Sequence, residues 1–136
     1  MKTITKRSGC PVSFSLDFLG DKWTLLILRD MVLSDKNSYG DFLASNERIA
    51  TNILADRLNT LEQYGFIIKR VSPEKKNKFL FSLTEKGIEL VPILMELTIW
   101  GSKYNPPGNE KLLKALADDK VGTILKLQQK LRNAIP

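Results

Sequence analysis

Few residues of this chain could carry covalent chemistry. The 136 residues include no histidine, and Cys10 is the single cysteine. This composition excludes Ser-His and Cys-His nucleophile pairs, histidine-ligated metal sites and a disulfide within the chain. The remaining acid-base groups show no paired spacing, and the eight glycines form no phosphate-binding loop. We therefore expect no catalytic site, metal or cofactor, and an enzyme is the weakest hypothesis.

The segment 49–64 carries uncharged polar groups whose types suit contact with base edges. Asparagine can donate and accept at once, as pairing with adenine requires, and threonine offers a hydroxyl and a methyl group. Asp56 would be repelled by phosphate, so in a groove it must accept from a cytosine amino group or be held by an arginine. An ordinary solvated helix face is the alternative. The candidate residues are Thr51, Asn52, Ala55, Asp56, Asn59 and Thr60.

A group of cations follows this segment and suits contact with phosphates. Five cations against Glu74 alone give a local excess of four positive charges, within a chain of net charge +6. Phosphate contacts of this kind set position and affinity rather than sequence preference. A solubilising hairpin tip is the alternative. The five cations are Lys69, Arg70, Lys75, Lys76 and Lys78.

Arg57 lies on the same segment as the polar residues but has a different expected role. It could reach a phosphate, or it could pair with Asp56, Glu62 or an acidic residue of a neighbouring helix. We expect a structural or a phosphate-binding role and group Arg57 with the phosphate candidates.

The elements that must position these residues follow from periodicity and from turn chemistry. Pro11 suits the first position of a helix that Gly20 closes, and Asp21 and Ser38 suit N-caps of two further helices. Residues 49–64 repeat apolar side chains at three-four spacing, and Gly65 follows as a C-terminal cap. The stripe comprises Ile49, Ile53, Leu54, Leu58 and Leu61.

The second half of the chain begins with a predicted hairpin. Residues 66–71 and 79–83 are rich in β-branched and aromatic side chains and flank a basic tip that contains Pro73. Thr84 then begins a helix in which Pro92 causes a kink or lies near the first turn. A breaker at 105–108 precedes a last amphipathic helix, or a pair of helices, between Leu112 and Leu131.

Helices followed by a two-stranded ribbon and further helices form the order of a winged helix-turn-helix. The predicted fold is mainly α with a small antiparallel β-hairpin and with additional terminal helices for dimerisation. In this fold the third helix of the helix-turn-helix unit, which is the segment 49–64 here, enters the major groove, and the wing touches the DNA backbone. We expect a flexible basic arm at 1–9, the DNA-binding domain at 10–104 and a C-terminal helical extension at 105–136.

Four motifs also connect the chain to a known family. They are Cys10-Pro11-Val12, Gly20-Asp21-Lys22-Trp23-Thr24-Leu25-Leu26-Ile27-Leu28-Arg29, Leu54-Ala55-Asp56-Arg57-Leu58 with Leu61-Glu62, and Leu83-Thr84-Glu85-Lys86-Gly87. Together they resemble the HxlR-type transcriptional regulators over roughly Cys10 to Tyr104. The resemblance implies a bacterial homodimer, joined through its first and terminal helices, that binds double-stranded DNA at a pseudo-palindromic operator.

Two details of the resemblance concern single residues. In several family members the cysteine of the CPV motif senses oxidants or electrophiles, which carries over to Cys10 alone. Where many relatives have a serine before the recognition helix, this chain has Ala50, so we expect Thr51, Asn46 or nearby backbone to provide the cap.

Cys10 has two possible roles on residue chemistry alone. At the N-cap of the first helix, the helix dipole together with Lys6 and Arg7 would favour a reactive thiolate. A buried, inert cysteine is the alternative. Because there is one cysteine per chain, oxidation could give only a disulfide between subunits or a mixed disulfide with a small thiol.

The sequence leaves two other modes of action open. Control by a small hydrophobic effector bound between the dimer helices is one alternative, and a winged-helix protein-interaction module is another.

We expect Trp23 in the core, and we expect Trp100 and Tyr104 there or in a dimer contact. No stretch is long and apolar enough to span a membrane, and residues 1–12 lack the apolar block that is typical of a signal peptide, so we expect a cytoplasmic protein without membrane contact.

Overall fold

The structure, a computed structural model, describes residues 3–105 and 108–136. Lys2 of the predicted arm and two residues of the predicted breaker, Pro106 and Pro107, lie outside this part. The helices are α1 (Pro11–Leu19), α2 (Lys22–Leu33), α3 (Tyr39–Leu43), α4 (Thr51–Gln63), α5 (Glu85–Ile88), α6 (Val91–Ser102), α7 (Glu110–Asp118) and α8 (Lys120–Asn133), and the strands are β1 (Ile67–Val71) and β2 (Phe79–Leu83). This is the predicted fold: mainly helical, with one antiparallel hairpin.

Three predicted caps are present. The Asp21 carboxylate accepts a hydrogen bond from the backbone N–H of Thr24 at 3.0 Å, which satisfies a free donor at the start of α2. The Ser38 hydroxyl accepts from the N–H of Asp41 in the same way at the start of α3. After α4, Gly65 has φ of +81°, the left-handed conformation that a helix C-terminus favours in glycine. These local features fix where the helices begin and end.

The start of α4 uses neither of the two side chains expected to cap it, which leaves nearby backbone, the third of the expected alternatives. Ala50 is its N-cap residue, with extended backbone and no capping side chain. Thr51 is already the first residue of the helix, so its hydroxyl does not occupy the capping position. The Ala50 carbonyl accepts from the N–H of Leu54 at 2.9 Å, and backbone alone therefore starts the helix.

The hairpin is anchored to the helix-turn-helix by its second strand. The register pairs Ile67 with Leu83 and Val71 with Phe79. On the other side of β2, the N–H of Phe81 donates to the carbonyl of Asn37 at 2.8 Å. A backbone hydrogen bond therefore joins the segment that leads into α3 to the second strand of the wing.

The predicted helix after the hairpin is two helices, α5 and α6. Thr84 caps α5 through a hydrogen bond from the N–H of Gly87. Pro92 is in the first turn of α6, as one of the two predicted placements has it. Pro92 has no N–H, so it cannot donate the helical hydrogen bond to the carbonyl of Ile88. The side-chain amide of Gln128 donates to this carbonyl instead, at 3.3 Å. The break in the helix is thus tied to α8.

The core lies between α2, α4, the hairpin, α5 and α6, and the C-terminal helices cover one side of it. Leu28, Leu54, Ile88 and Met95 are fully buried, and Leu116 of α7 joins the same cluster. The helix α8 packs against α5, α6 and β2. Arg132 of α8 also binds Glu85 at 2.7 Å, so α8 packs directly on the winged helix.

The N-terminal arm has no helix or strand from residue 3 to residue 9, but two contacts attach it. The N–H of Ile4 donates to the hydroxyl of Tyr64 at 2.6 Å, and Arg7 binds the buried carboxylate of Asp17 at 2.7 Å. The flexibility expected for this arm stays a prediction. Among the helices of the described ranges, none is long and apolar enough to cross a membrane.

Candidate nucleic-acid interface

The helix α4 presents its predicted polar face to solvent while its apolar stripe is buried. Leu54, Leu58 and Leu61 are each at most 3% exposed. On the opposite side Thr51, Asn52 and Asn59 are exposed, and Ala55, Asp56 and Thr60 are half-buried. The Thr60 hydroxyl donates to the carbonyl of Asp56, so it is already engaged within the helix. The two asparagines are therefore the residues of this face best able to offer both donor and acceptor outward.

Arg57 is occupied by two carboxylates. Its Nε lies 2.8 Å from Asp21 at the start of α2, and its Nη1 lies 2.5 Å from Asp56. The hydrogen bond from Arg57 holds the pKa of Asp21 below its usual value. Asp21 thus caps α2 and also binds α4, which fixes the angle between the two helices. The arginine that holds Asp56 is the neighbouring Arg57, and this is one of the two arrangements expected for that carboxylate.

A second ionic network holds the turn between α3 and α4. Arg29 of α2 binds Glu47 through two hydrogen bonds of 2.7 and 2.9 Å and also binds Asp30. Asp30 is buried and accepts from the Ser45 hydroxyl at 2.5 Å. The bonds from Arg29 lower the pKa of Glu47 to about 2. This network therefore positions the start of α4 from the side of α2.

The sequence does not indicate the network around Arg29. Neither Asp30 nor Glu47 is among the candidate residues that the sequence patterns select. The partners are separated by up to 18 residues, and periodicity carries no signal for such pairs. Arg48 is a further cation of this turn that the sequence patterns do not select. It is exposed in the turn directly before α4, with φ of +58°.

The wing presents most of its predicted cations to solvent. Lys69 is exposed, and so are all three lysines of the tip. The tip keeps its shape because the Ser72 hydroxyl accepts from two backbone N–H groups and the N–H of Ser72 donates to the carbonyl of Lys78. The lysines of the tip are Lys75, Lys76 and Lys78.

Arg70 differs from the other wing cations. It is half-buried on the face of the ribbon opposite Lys69, where it lines a cleft next to α8. Its Nη1 is buried and has no hydrogen-bond partner among the described residues. We therefore leave Arg70 out of the phosphate contacts proposed below.

Cys10 is exposed at the N-cap of α1, so its thiol is not buried, as one of the two alternatives had it. Arg7, which was expected to lie near the thiol, has its guanidinium on Asp17 instead. Ser8 accepts a hydrogen bond from the N–H of Cys10 at 3.2 Å.

Large apolar side chains are exposed on α1 and at the end of α6. Trp100 and Tyr104 are 64% and 75% exposed, and their rings contact each other at a tilt of 49° with centroids 5.1 Å apart. On α1, Val12, Phe14 and Leu16 are each about half exposed or more. Trp23, in contrast, is partly buried and packs against the core, as expected. The exposed groups form apolar faces without a cover in a single chain.

A short helix, a turn and a second helix with an exposed polar face, followed by a two-stranded wing with a basic tip, define the winged helix-turn-helix class. The model of one family in this class, the HxlR-like helix-turn-helix, matches residues 18–109. The chain belongs to the HxlR-like helix-turn-helix family and is a transcriptional regulator.

Relatives of known sequence and structure agree with this family. YdeP, an HTH-type transcriptional regulator of Bacillus subtilis (strain 168), is 31% identical over 113 residues, which cover 83% of this chain and 88% of YdeP. The reduced form of the regulator YodB from B. subtilis is 32% identical, with a TM-score of 0.56 over 75% of this chain and 100% of YodB. The redox regulator HypR, in its reduced form, is 30% identical, with a TM-score of 0.63 over 71% of this chain and 95% of HypR.

Proposed function

We propose that this regulator is a homodimer that binds a pseudo-palindromic operator in double-stranded DNA. In each subunit α4 enters the major groove, and the wing contacts the phosphates beside it. The two recognition helices then lie about 34 Å apart on one side of the duplex. The observation that carries the proposal is the exposed, uncharged polar face of α4 next to the exposed lysines of the wing.

The residues divide between specificity and affinity. Asn52 and Asn59 are exposed amides on α4 and would contact base edges, with Thr51 and the small side chain of Ala55 beside them. Lys69 and the three lysines of the wing tip would bind phosphates. Arg57 would act by holding α4 against α2, because both of its carboxylate partners belong to the protein.

The exposed apolar faces support the dimer. An aromatic pair and three apolar residues of α1 are unusual on the surface of a monomer, and aromatic residues are enriched in protein interfaces. The sequence resemblance implies dimer contacts through the first and terminal helices, and α1 carries one of these apolar faces. Pairing them would bury α1 and the end of α6 and leave α4 and the wing open to DNA.

Cys10 is the candidate for regulation by oxidants. Two observations favour it over an inert residue: the thiol is exposed, and the relative HypR is a redox regulator. A thiol-reactivity assay at neutral pH, with Cys10→Ser as the control, tests this role. Modification of the wild-type protein that also changes operator binding supports it, and an unmodified Cys10 ends it.

The dependence of DNA binding on salt tests the main proposal. If each subunit binds three or four phosphates, the dimer neutralises six to eight, and the logarithmic slope of affinity against salt is roughly −5 to −7. A gel-shift titration on an operator selected from random duplexes measures the slope. A slope near zero, or no selection of a sequence at all, contradicts the proposal.

A further inference from the structure

A cleft of about 190 Å³ opens between the hairpin, the segment after α2 and the C-terminal end of α8. Its lining includes the apolar residues Met31, Leu131 and Ala134. Residues from both faces of the ribbon line it, with Arg70 and Ser82 from one face and Phe81 and Leu83 from the other. None of the residues proposed to contact DNA lines the cleft, and none of the exposed apolar residues of α1 and α6 does.

Arg70 is the residue that gives this cleft a chemical preference. A guanidinium stays charged at all ordinary pH values and has only donors to offer. One of its nitrogens, Nη1, is buried with no acceptor within hydrogen-bond distance in the described part of the chain. A buried donor without an acceptor is unfavourable, and a ligand that supplies an acceptor gains from satisfying it.

The other charged residues of the cleft are already engaged, and their sum is positive. Lys130 binds Asp35 at 3.1 Å, and the Nζ of Lys36 donates to the Ser45 hydroxyl at 2.7 Å. With Arg70 included, three cations line the cleft against the single carboxylate of Asp35. The balance favours an anion, and Arg70 is the cation available to bind it.

We propose that this cleft binds a small monocarboxylate with an apolar body. A carboxylate matches the planar fork of the Arg70 guanidinium and can accept two parallel hydrogen bonds from it. The apolar body would lie along Met31 and Leu131. The volume is below the roughly 300–1,000 Å³ of drug-sized sites, which limits the ligand to a short aliphatic or single-ring acid.

The position of the cleft links such a ligand to the wing. Arg70 is part of β1, which continues into the basic tip, and Lys130 and Leu131 are part of α8. A bound carboxylate would therefore connect the wing to the C-terminal helix. Resting on the proposed function, we expect the ligand to change operator affinity, and by linkage the operator changes ligand affinity by the same factor.

A titration of the full-length chain with hexanoate, followed by two-dimensional NMR, tests the site without DNA. We expect saturable shifts at the amides of Asn37, Ser82 and Ala134, which surround the cleft. Hexanamide, which is neutral, and phosphate, which has no apolar body, should each bind at least about tenfold more weakly, since each lacks one half of the recognition.

Three variants sharpen the test. Arg70→Gln should weaken hexanoate binding about tenfold or more because the charged fork is lost. Ala134→Trp should block the cleft from an exposed position without removing a core side chain, and it serves if the first variant does not fold. Lys126→Gln, which removes an exposed cation of α8 outside the cleft, should bind hexanoate as the wild type does.

The outcomes separate this proposal from the DNA-binding proposal. Equal binding of hexanoate and hexanamide, equal binding of phosphate, unchanged affinity in folded Arg70→Gln, or shifts confined to α1 and α6 would each overturn the carboxylate site. A gel shift with and without hexanoate then measures the coupling. Failure to bind an operator leaves the NMR result standing, and absence of NMR shifts leaves the operator result standing.

Discussion

Asn52 is the side chain of α4 whose removal should change sequence preference most clearly. It is exposed on the second residue of the helix and can both donate and accept. Asn52→Ala should cost about 1–3 kcal/mol of binding free energy at the cognate base and little on duplexes changed at that base. Gln63→Ala, an exposed residue at the other end of α4, is the matched control and should change neither.

Alanine at Lys75, Lys76 and Lys78 together should have the contrasting effect. These lysines would bind phosphates, so affinity should fall for all duplexes alike, and the salt slope should become less steep by roughly five if all three lysines of both subunits make contacts. Gel-shift titrations on cognate and altered duplexes compare the two sets of variants. Uniform losses for both Asn52→Ala and the lysine variant would remove the division between base and phosphate contacts.

Glu47 gives a prediction for pH. Its folded-state pKa is about 2, below the ordinary value of 4.5, because Arg29 binds the ionised form. The stabilisation is therefore complete above the unfolded value and is lost as pH falls from about 4.5 toward 2. Because the Glu47 side chain is 38% exposed, its contribution should stay below about 1 kcal/mol.

Glu47→Gln should accordingly reduce the acid sensitivity of folding. Urea unfolding at about pH 6 and about pH 3 measures the free energy of unfolding, and the difference between the two should be smaller in the variant than in the wild type. Glu74→Gln, at the exposed wing tip, serves as the control and should leave the difference unchanged. An equal loss on acidification in wild type and Glu47→Gln would show that the ion pair does not contribute.

For single residues, the sequence predicted which side chains are exposed better than it predicted which side chains contact each other. Asparagine and threonine on one helix face and lysines in one loop are visible in the sequence, and the structure leaves most of them exposed. The buried pairing of Asp30 with Ser45 and the half-buried position of Arg70 depend on which elements meet in space. The local sequence does not indicate contacts between elements that are distant along the chain.

The glycines at the boundaries of elements give a graded test of stability. Gly65 has positive φ with open space around it, so Gly65→Ala should cost roughly 1–2 kcal/mol from backbone strain alone. A Cβ at Gly87 would overlap the carbonyl oxygen of Phe66, so Gly87→Ala should cost more because backbone must shift. Gly40 in α3 has negative φ and open space, and Gly40→Ala should stabilise by about 0.5–1 kcal/mol.

Urea unfolding of the three alanine variants measures these effects. The expected order of stability is Gly40→Ala above wild type, then Gly65→Ala, then Gly87→Ala. A Gly87→Ala variant as stable as wild type would mean that α5 can move away from the strand ends without loss. Circular dichroism checks that each variant keeps its helical content.

Elements with strong periodicity or cap chemistry were predictable, and those decided by packing were not. The caps Asp21, Ser38 and Gly65 act within three residues of their own position, so sequence contains all that is needed. The division between α5 and α6 was not predicted, although Pro92 indicated a kink or a first turn in this region. Pro92 leaves the carbonyl of Ile88 without a helical donor, and the amide that binds this carbonyl belongs to Gln128, forty residues away, which local sequence does not indicate.

For the whole molecule, the exposed apolar faces predict a dimer that a single charge should weaken. Trp100→Glu or Leu16→Glu should raise the dissociation constant of the dimer, at a cost of about 2 kcal/mol or more for the tryptophan. Light scattering over a range of protein concentrations measures it. Val71→Glu, at an exposed apolar residue of the wing, is the control and should leave the dimer intact; a wild-type monomer at all concentrations would contradict the assembly.

The backbone hydrogen bond between Asn37 and Phe81 has a consequence for the operator. It fastens the root of the wing to the chain that enters α3, while Arg57 and Asp21 fasten α4 to α2. In the proposed complex the groove contact and the backbone contact would therefore belong to one connected unit, which would fix their separation within a half-site. A duplex with one base pair inserted between half-sites must then be accommodated by rotation of the two subunits against each other, because neither subunit can stretch to meet it.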